Sequence, residues 1–273
     1  MNHWFAYPNI SPIAFYAGPI GVHWYGLSYL FAFVCVFLWM NRPSGRQRLN
    51  LSTDDIQDFL VHALVGVLAG GRIGFVIADL ITNHNFATYL AHPIDFVAIW
   101  QGGMAFHGAL IGVVIASFVF LRKHPGLTFN ILGDEVIMLL PIGIALTRVV
   151  NFINDELVGK ICNPDHPYCI NFPNYIGSRY PSQIFEGMLD ILVLPIMLFL
   201  YRRHPANGVV FWTWITLYGV TRSIAEIWRE PGFTVLGLSG GQLVAIPQIF
   251  IGLGFLVWAI QKNARKPAIP ITT

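Results

Sequence analysis

The chain has 273 residues, 55% of them hydrophobic and only 11% charged, with a mean hydropathy of +0.59. That composition cannot clothe an ordinary water-facing surface, so it excludes a soluble globular domain and points to an all-α polytopic membrane protein. The formal net charge of +2 is too small to suggest a nucleic-acid partner, and the placement of the positive residues says more than their sum.

In chain order, apolar stretches at about Phe15 to Met40, Ile56 to Ile81, Phe96 to Leu121, Phe129 to Ile153, Ile184 to Tyr201, Val209 to Trp228 and Gln242 to Ile260 predict seven transmembrane helices. Each is near the roughly 20 residues that a crossing needs. Alternate connections are basic: Arg42, Arg46 and Arg48, then Arg122 and Lys123, then Arg202 and Arg203, and finally Lys262, Arg265 and Lys266. Ten of the sixteen Lys and Arg thus lie on one side, which the positive-inside rule makes cytoplasmic, with the N-terminus outside and the C-terminus inside. No Lys or Arg precedes Arg42, so the first helix is expected to be retained rather than cleaved as a signal peptide.

The outside connections include a polar segment from about Asn154 to Tyr180 and the Gly-rich "REPGFTVLGLSGG", Arg229 to Gly241. With no internal repeat, low-complexity tract or linker, residues 1–273 read as a single membrane domain, with a small outside cap built from the loop at about 154–180.

Ionisable residues at membrane depth face a bundle interior or a wet cavity and mark function by default. In "TRVVNFINDELVG", helical spacing puts Arg148, Asn151 and Asp155 on one face, with Asn154 and Glu156 beside it. The plainer reading is an interfacial helix end whose arginine snorkels. In "YGVTRSIAEIWREPG", Arg222 and Glu226 are four apart and Arg229 follows three later, a stripe that also suits a structural ion pair. "YPSQIFEG" carries Gln183 and Glu186 inward just after a helix-starting proline.

"GGRIGF" flanks Arg72 with glycines that let a helix or a headgroup approach closely. In "GGMAFHGALIG", Gly102, Gly103 and Gly108 bracket His107 and suggest a broken or re-entrant backbone lining a cavity, with room for a substrate beside the histidine. A hydrogen-bonded packing histidine is the alternative. "HWYG", His23 to Gly26, supplies Tyr25 within an interface-belt aromatic pair.

Cys35 is mid-span and reads as inert, whereas Cys162 and Cys169 lie in the long outside loop, where an oxidising compartment allows a disulfide. No G-x-S-x-G elbow, P-loop, H-E-x-x-H or C-x-x-C pair is present, so hydrolase, NTPase and zinc chemistries lack a warrant, and no metal or cofactor is expected.

Taken together and in order, "HWYG", "GGRIGF", "GGMAFHGALIG", "RVVNFINDELVG", "PSQIFE" and "YGVTRSIAEIWREP" resemble the bacterial prolipoprotein diacylglyceryl transferases over nearly the whole chain. The resemblance implies a seven-helix enzyme of the bacterial inner membrane with its active site toward the periplasm. Such an enzyme moves the diacylglyceryl group of phosphatidylglycerol onto the thiol of a lipobox cysteine in a prolipoprotein and releases glycerol phosphate. It further implies that Tyr25, His107, Arg148, Asn151, Glu156, Gly159, Arg222 and Glu226 bind or act. Three positions depart from the pattern: Ala109 and Val150 replace glycines, and Tyr180 replaces a histidine before Pro-Ser-Gln.

The chemistry accounts for these residue types. A cysteine thiol has a pKa near roughly 8.5, so either a base or a positive field must supply thiolate. The leaving phosphate gathers charge that arginines stabilise bidentately in a water-poor cavity. Arg148 and Arg222 are therefore expected to clamp the phosphate, with Glu226 and Glu156 orienting them and Asn151 donating to phosphate or glycerol oxygens. His107 is the expected base, an arginine field being the alternative source of thiolate. Arg72, Asn154, Glu186 and Arg229 complete the expected substrate site. A transporter or channel with a His, Arg and Glu pathway is the rival reading. It expects polar residues toward both faces and an inverted repeat, whereas the polar cluster is biased to the outer half.

Overall fold

The computed structural model describes residues 6–203 and 206–264; Arg265 and Lys266, counted above among the cytoplasmic cations, lie outside the described residues. In chain order the helices are α1 (Trp24–Asn41), α2 (Pro43–Leu49), α3 (Thr53–Thr82), α4 (Phe86–Ala91), α5 (Phe106–Lys123), α6 (Phe129–Val136), α7 (Leu140–Ile153), α8 (Ser182–Arg202), α9 (Val209–Ala225) and α10 (Gly240–Ala264). Antiparallel hairpins pair β1 (Ile13–Ala17) with β2 (Ile20–His23), β3 (Ile170–Asn171) with β4 (Ser178–Arg179), and β5 (Thr234–Val235) with β6 (Leu238–Ser239).

Among the described residues six helices are long and apolar enough to cross a membrane: α1, α3, α5, α6 continuing into α7, α8 and α10. Their outer faces carry large exposed apolar side chains, such as Val61, Val65, Ile73 and Ile77 on α3 and Phe250, Ile251 and Val257 on α10. Lipid is the solvent that suits such faces, and the chain is a multi-pass membrane protein. The predicted sixth span is the 17-residue α9.

Two predicted spans start later than expected. Phe15 to His23 is a hairpin that turns at Gly18, with φ of 62°, and α1 begins only at Trp24. The third span begins at Phe106 rather than Phe96, because Pro93–Phe96 and Ile99–Gln101 are 3₁₀ turns and Gly102 and Gly103 take φ of 85° and 74°. Positive φ at two consecutive residues ends any right-handed helix there.

The chain forms two compact units, residues 40–132 and residues 1–39 with 133–273. Within the first of these, α3 starts at a capping box in which Ser52 and Asp55 satisfy each other's backbone N–H groups. Glycines spaced four apart then let α3 and α5 touch backbone to backbone. A Cβ on Gly70 would meet Gly112 Cα at 2.8 Å, and one on Gly74 would meet Gly108 Cα at 2.8 Å. Small residues at this spacing are how membrane helices gain contact when lipid removes the hydrophobic drive.

In the other unit, α8 and α9 pack Val193, Met197, Val210 and Trp214 against Ile137 and Met138. Gly219 of α9 lets α10 approach, since a Cβ there would lie 3.0 Å from the Ala245 carbonyl. The loop between α7 and α8 folds into a small cap over Phe152, Val158, Ile170 and Phe172, with Tyr7 packed on its edge. Burial raises the Tyr7 pKa, and its neutral hydroxyl donates to the Ile153 carbonyl at 2.7 Å, which caps the end of α7. The cap also contains the Cys162–Cys169 disulfide, with Cα atoms 6.3 Å apart.

Candidate active site

Four elements of the unit formed by residues 1–39 and 133–273 bring the predicted residues together. Glu186, one turn into α8 and only 2% exposed, is the hub. Its Oε1 lies 2.6 Å from Arg148 of α7 and 3.6 Å from Arg222 of α9, while its Oε2 accepts from Arg229 at 3.2 Å. Arg222 also pairs with Glu226 one turn on. A side chain at Gly241 would strike Arg222 Nη2 at 2.7 Å, so the chain after β6 closes against this pair.

The network continues through Asn151. Its Oδ1 accepts from Arg148 at 3.3 Å, and its Nδ2 donates to the Tyr25 hydroxyl and, at 3.3 Å, to Glu156 Oε2. Tyr25 in turn donates to Glu156 at 2.6 Å. Arg148, Arg222 and Arg229 each keep 14–16% of the side chain exposed, so the buried carboxylate holds three cations that a ligand can still reach. Two of their donors, Arg148 Nε and Arg222 Nη1, are buried without a hydrogen-bond partner among the described residues. Burial, and next the charge of Arg222, lower the Arg229 pKa.

Backbone geometry explains how Glu156 returns to Asn151. Helix α7 stops at Ile153, and Asp155 and Leu157 then take φ of 58° and 56°. Left-handed conformations at non-glycine residues are uncommon and need support from their surroundings. Here Gln183 donates to the Glu156 carbonyl at 2.5 Å and Ser182 to the Leu157 carbonyl at 2.9 Å. The "PSQ" segment thus fixes the turn that presents Glu156.

Several expectations change. Asp155 is not on the Arg148 face, because the helix has ended; its carboxylate accepts from the Asn174 amide at 2.9 Å. Glu156 does not orient Arg148 directly; Glu186 does, and Glu156 reaches it only through Asn151. Arg229 lies past the end of α9 and joins the site through Glu186, not along a helical stripe. Gly159 sits where three backbone segments cross, bonded to Tyr180 and bridged to Arg229, and a Cβ there would lie 2.7 Å from the Trp228 carbonyl. Its place in the structure is thus a packing one. Asn154 caps α7 through its backbone N–H, and its side-chain Oδ1 is buried without a partner among the described residues.

Arg72 and His107 belong to the unit of residues 40–132. Arg72, 6% exposed, gives its guanidinium to backbone carbonyls: Gly102 at 2.7 Å, Gly103 at 3.2 Å, Phe96 at 3.3 Å, and Asp95. It thereby stitches down the irregular segment before α5. His107 is exposed in the first turn of α5. The glycine after it does not leave room for substrate, because Gly108 is occupied by the close approach of α3.

Asp190 escaped the sequence reading. It lies one turn beyond Glu186 on α8, 2% exposed, with Thr221 at 3.5 Å from Oδ1 and Oδ2 lacking a partner among the described residues. A carboxylate in the middle of an apolar span was the available signal. Tyr218, one turn before Arg222, was missed for want of any charge; it interacts electrostatically with Arg148.

A family model described as prolipoprotein diacylglyceryl transferase matches residues 12–258. The chain belongs to that family. It is 38% identical to a phosphatidylglycerol–prolipoprotein diacylglyceryl transferase of Geobacter sulfurreducens, over 92% of this chain and 96% of the relative. It is 39% identical to the protein of the same name from Polaromonas sp., over 96% and 98% of the two chains, and 40% identical to that of Legionella pneumophila (strain Lens), over 93% and 98%. The segment shared with the prolipoprotein diacylglyceryl transferase family runs from before β1 to near the end of α10, and so contains every residue of the network from Tyr25 to Gly241.

Proposed function

We propose that the chain moves a diacylglyceryl group from phosphatidylglycerol to the thiol of a lipobox cysteine in a prolipoprotein, and that the network around Glu186 is where it does so. The observation that carries this reading is the convergence of Arg148, Arg222 and Arg229 on one buried carboxylate, with Arg148 Nε lacking a hydrogen-bond partner among the described residues and Arg222 Nη1 held there only by its 3.6 Å ion pair with Glu186. Buried donors without a hydrogen bond call for a ligand, and a phosphate matches them in charge and offers two oxygens to a planar guanidinium fork.

In the reaction the cysteine sulfur attacks a glycerol carbon of the lipid, a C–S bond forms, the C–O bond to phosphate breaks, and glycerol phosphate departs with the electron pair. The thiol proton is lost to a base. Negative charge that grows on the leaving phosphate is met by fixed guanidinium groups, which cost no reorganisation at the moment of reaction. Glu186 and Glu226 hold those groups in place, and Tyr25, Asn151 and Glu156 form the polar end toward the glycerol and the incoming peptide. His107 is the proposed base, from the sequence pattern; an arginine field that favours thiolate is the other route.

Seven crossings with the N-terminus outside fit the alternation of basic connections, with α9 as the sixth, and they put the arginine network at the periplasmic side of a bacterial inner membrane. The test is incubation of the purified protein with labelled phosphatidylglycerol and a lipobox peptide. Label on the peptide with its cysteine, and none with a serine in its place, is the expected result; label on neither peptide would remove the reading.

A further inference from the structure

Asp190 is a buried carboxylate that the transfer chemistry leaves without a part. It stands one turn, about 5.4 Å, further into α8 than Glu186. Like charges four apart on one helix repel, and an apolar span is a costly place to keep them. Thr221 of α9 approaches Oδ1 at 3.5 Å, and Oδ2 has no hydrogen-bond partner among the described residues. So little local bonding does not account for a carboxylate that is only 2% exposed.

The group it acts on is Arg148. The Arg148 side chain leaves α7 directly against Gly187 of α8, where an added Cβ would lie 3.3 Å from Arg148 Cβ. Gly187 follows Glu186 and precedes Asp190, so α8 offers this arginine one carboxylate bonded to it and a second a turn further along. The charge of Asp190 attracts Arg148 and, to a smaller extent, Arg222, and the Tyr218 hydroxyl also interacts with Arg148. Tyr218 and Thr221 precede Arg222 on α9, and with Asp190 they form a layer further into the helices than the pairing of Glu186 with Arg222.

We infer that Asp190 is a positioning residue for the transfer: it draws Arg148 toward this inner layer, so that the guanidinium keeps one orientation while negative charge grows on the leaving phosphate. The inference rests on the reading of Arg148 as the group that meets that phosphate. A second carboxylate beside the arginine also repels an incoming phosphate, so it weakens lipid binding while it fixes the arginine. Its removal therefore acts on the two kinetic constants differently, as loss of an interaction used only in the transition state does.

The test is steady-state transfer from labelled phosphatidylglycerol to a lipobox peptide by the full chain in detergent, at matched folded protein. It compares the parent, Asp190→Asn, Asp190→Ala, Arg148→Lys, and each Asp190 variant combined with Arg148→Lys. Asp190→Asn should lower kcat about tenfold, part of the roughly 10²-fold that misplacing a reacting group by an ångström can cost, with KM for the lipid unchanged or lower. Asp190→Ala should lower kcat likewise with a melting temperature no lower than the parent's, because it removes a buried oxygen that lacks a hydrogen bond, and it carries the test if the amide variant does not fold. In the combined variants kcat should stay within about threefold of Arg148→Lys alone, since Asp190 acts through that guanidinium. A parent without transfer would remove the reaction reading, and parent-like turnover in Arg148→Lys would remove the phosphate assignment; either takes this inference with it. With both of those as expected, the inference is overturned by Asp190 variants whose kcat is within about twofold of the parent's, by effects that multiply fully in the combined variants, or by loss of folded protein in both Asp190→Asn and Asp190→Ala, each of which would leave Asp190 a role in the fold alone.

Discussion

Glu186 on α8 meets Arg148 on α7 at 2.6 Å, with Glu186 only 2% exposed. One carboxylate therefore orients the guanidinium proposed to face the lipid phosphate and also screens it from Arg222 and Arg229, whose charges would otherwise repel it.

Glu186→Gln keeps the shape and removes the charge. Three arginines would then share the site with no central counter-ion, and losing one partner of a buried pair costs about 3–5 kcal/mol. The expected outcome is a lower melting temperature in detergent together with loss of turnover. A melting curve equal to that of the parent protein would show that the three arginines do not depend on Glu186.

His107→Gln separates the two sources of thiolate. As the base, His107 contributes roughly 10² to 10⁴ in rate at neutral pH, and the variant should partly recover as pH rises toward the thiol's own pKa of about 8.5. The measurement is a pH-rate profile beside a melting curve. Near-normal turnover at neutral pH would assign thiolate formation to the arginine field.

Gly70→Leu tests the seam in the unit of residues 40–132. The atoms that a side chain there would strike are the Gly108 carbonyl and Gly112 Cα, which are backbone and cannot turn aside. Well under half of the parent yield of folded protein is expected, by size-exclusion in detergent, in keeping with the rarity of close packing without small residues. Gly254→Ala on α10, where nothing lies within 4 Å of an added Cβ, should fold like the parent. A well-folded Gly70→Leu protein would refute the close backbone contact.

Much of the network was legible in the sequence because polar residues are conspicuous in apolar spans. Arg148, Asn151, Glu186, Arg222 and Glu226 could each be marked that way, and the structure joins them. What could not be read was which group faces which. Helical spacing was extended through Asp155, but left-handed backbone at Asp155 and Leu157 ends the period and turns Glu156 back instead. The glycines around His107 and Arg72 showed close approach without saying of what, and it is α3 on α5. Arg72 illustrates the same limit: an intramembrane arginine can serve backbone carbonyls as readily as a ligand, and composition does not distinguish them. Late starts of α1 and α5 were hidden because strands and 3₁₀ turns built from apolar residues look like more span.

The most direct test of the account is the turnover of Arg148→Lys, with labelled phosphatidylglycerol and a lipobox peptide, at matched folded protein. Lysine keeps the charge beside Glu186 but loses the planar fork and the Nε donor that Arg148 holds unpaired. If that guanidinium stabilises the leaving phosphate, turnover should fall by at least about 10²-fold, as for the loss of one preorganised donor, while the melting temperature stays near that of the parent. Turnover within a few-fold of the parent would contradict the assignment of Arg148 to the phosphate.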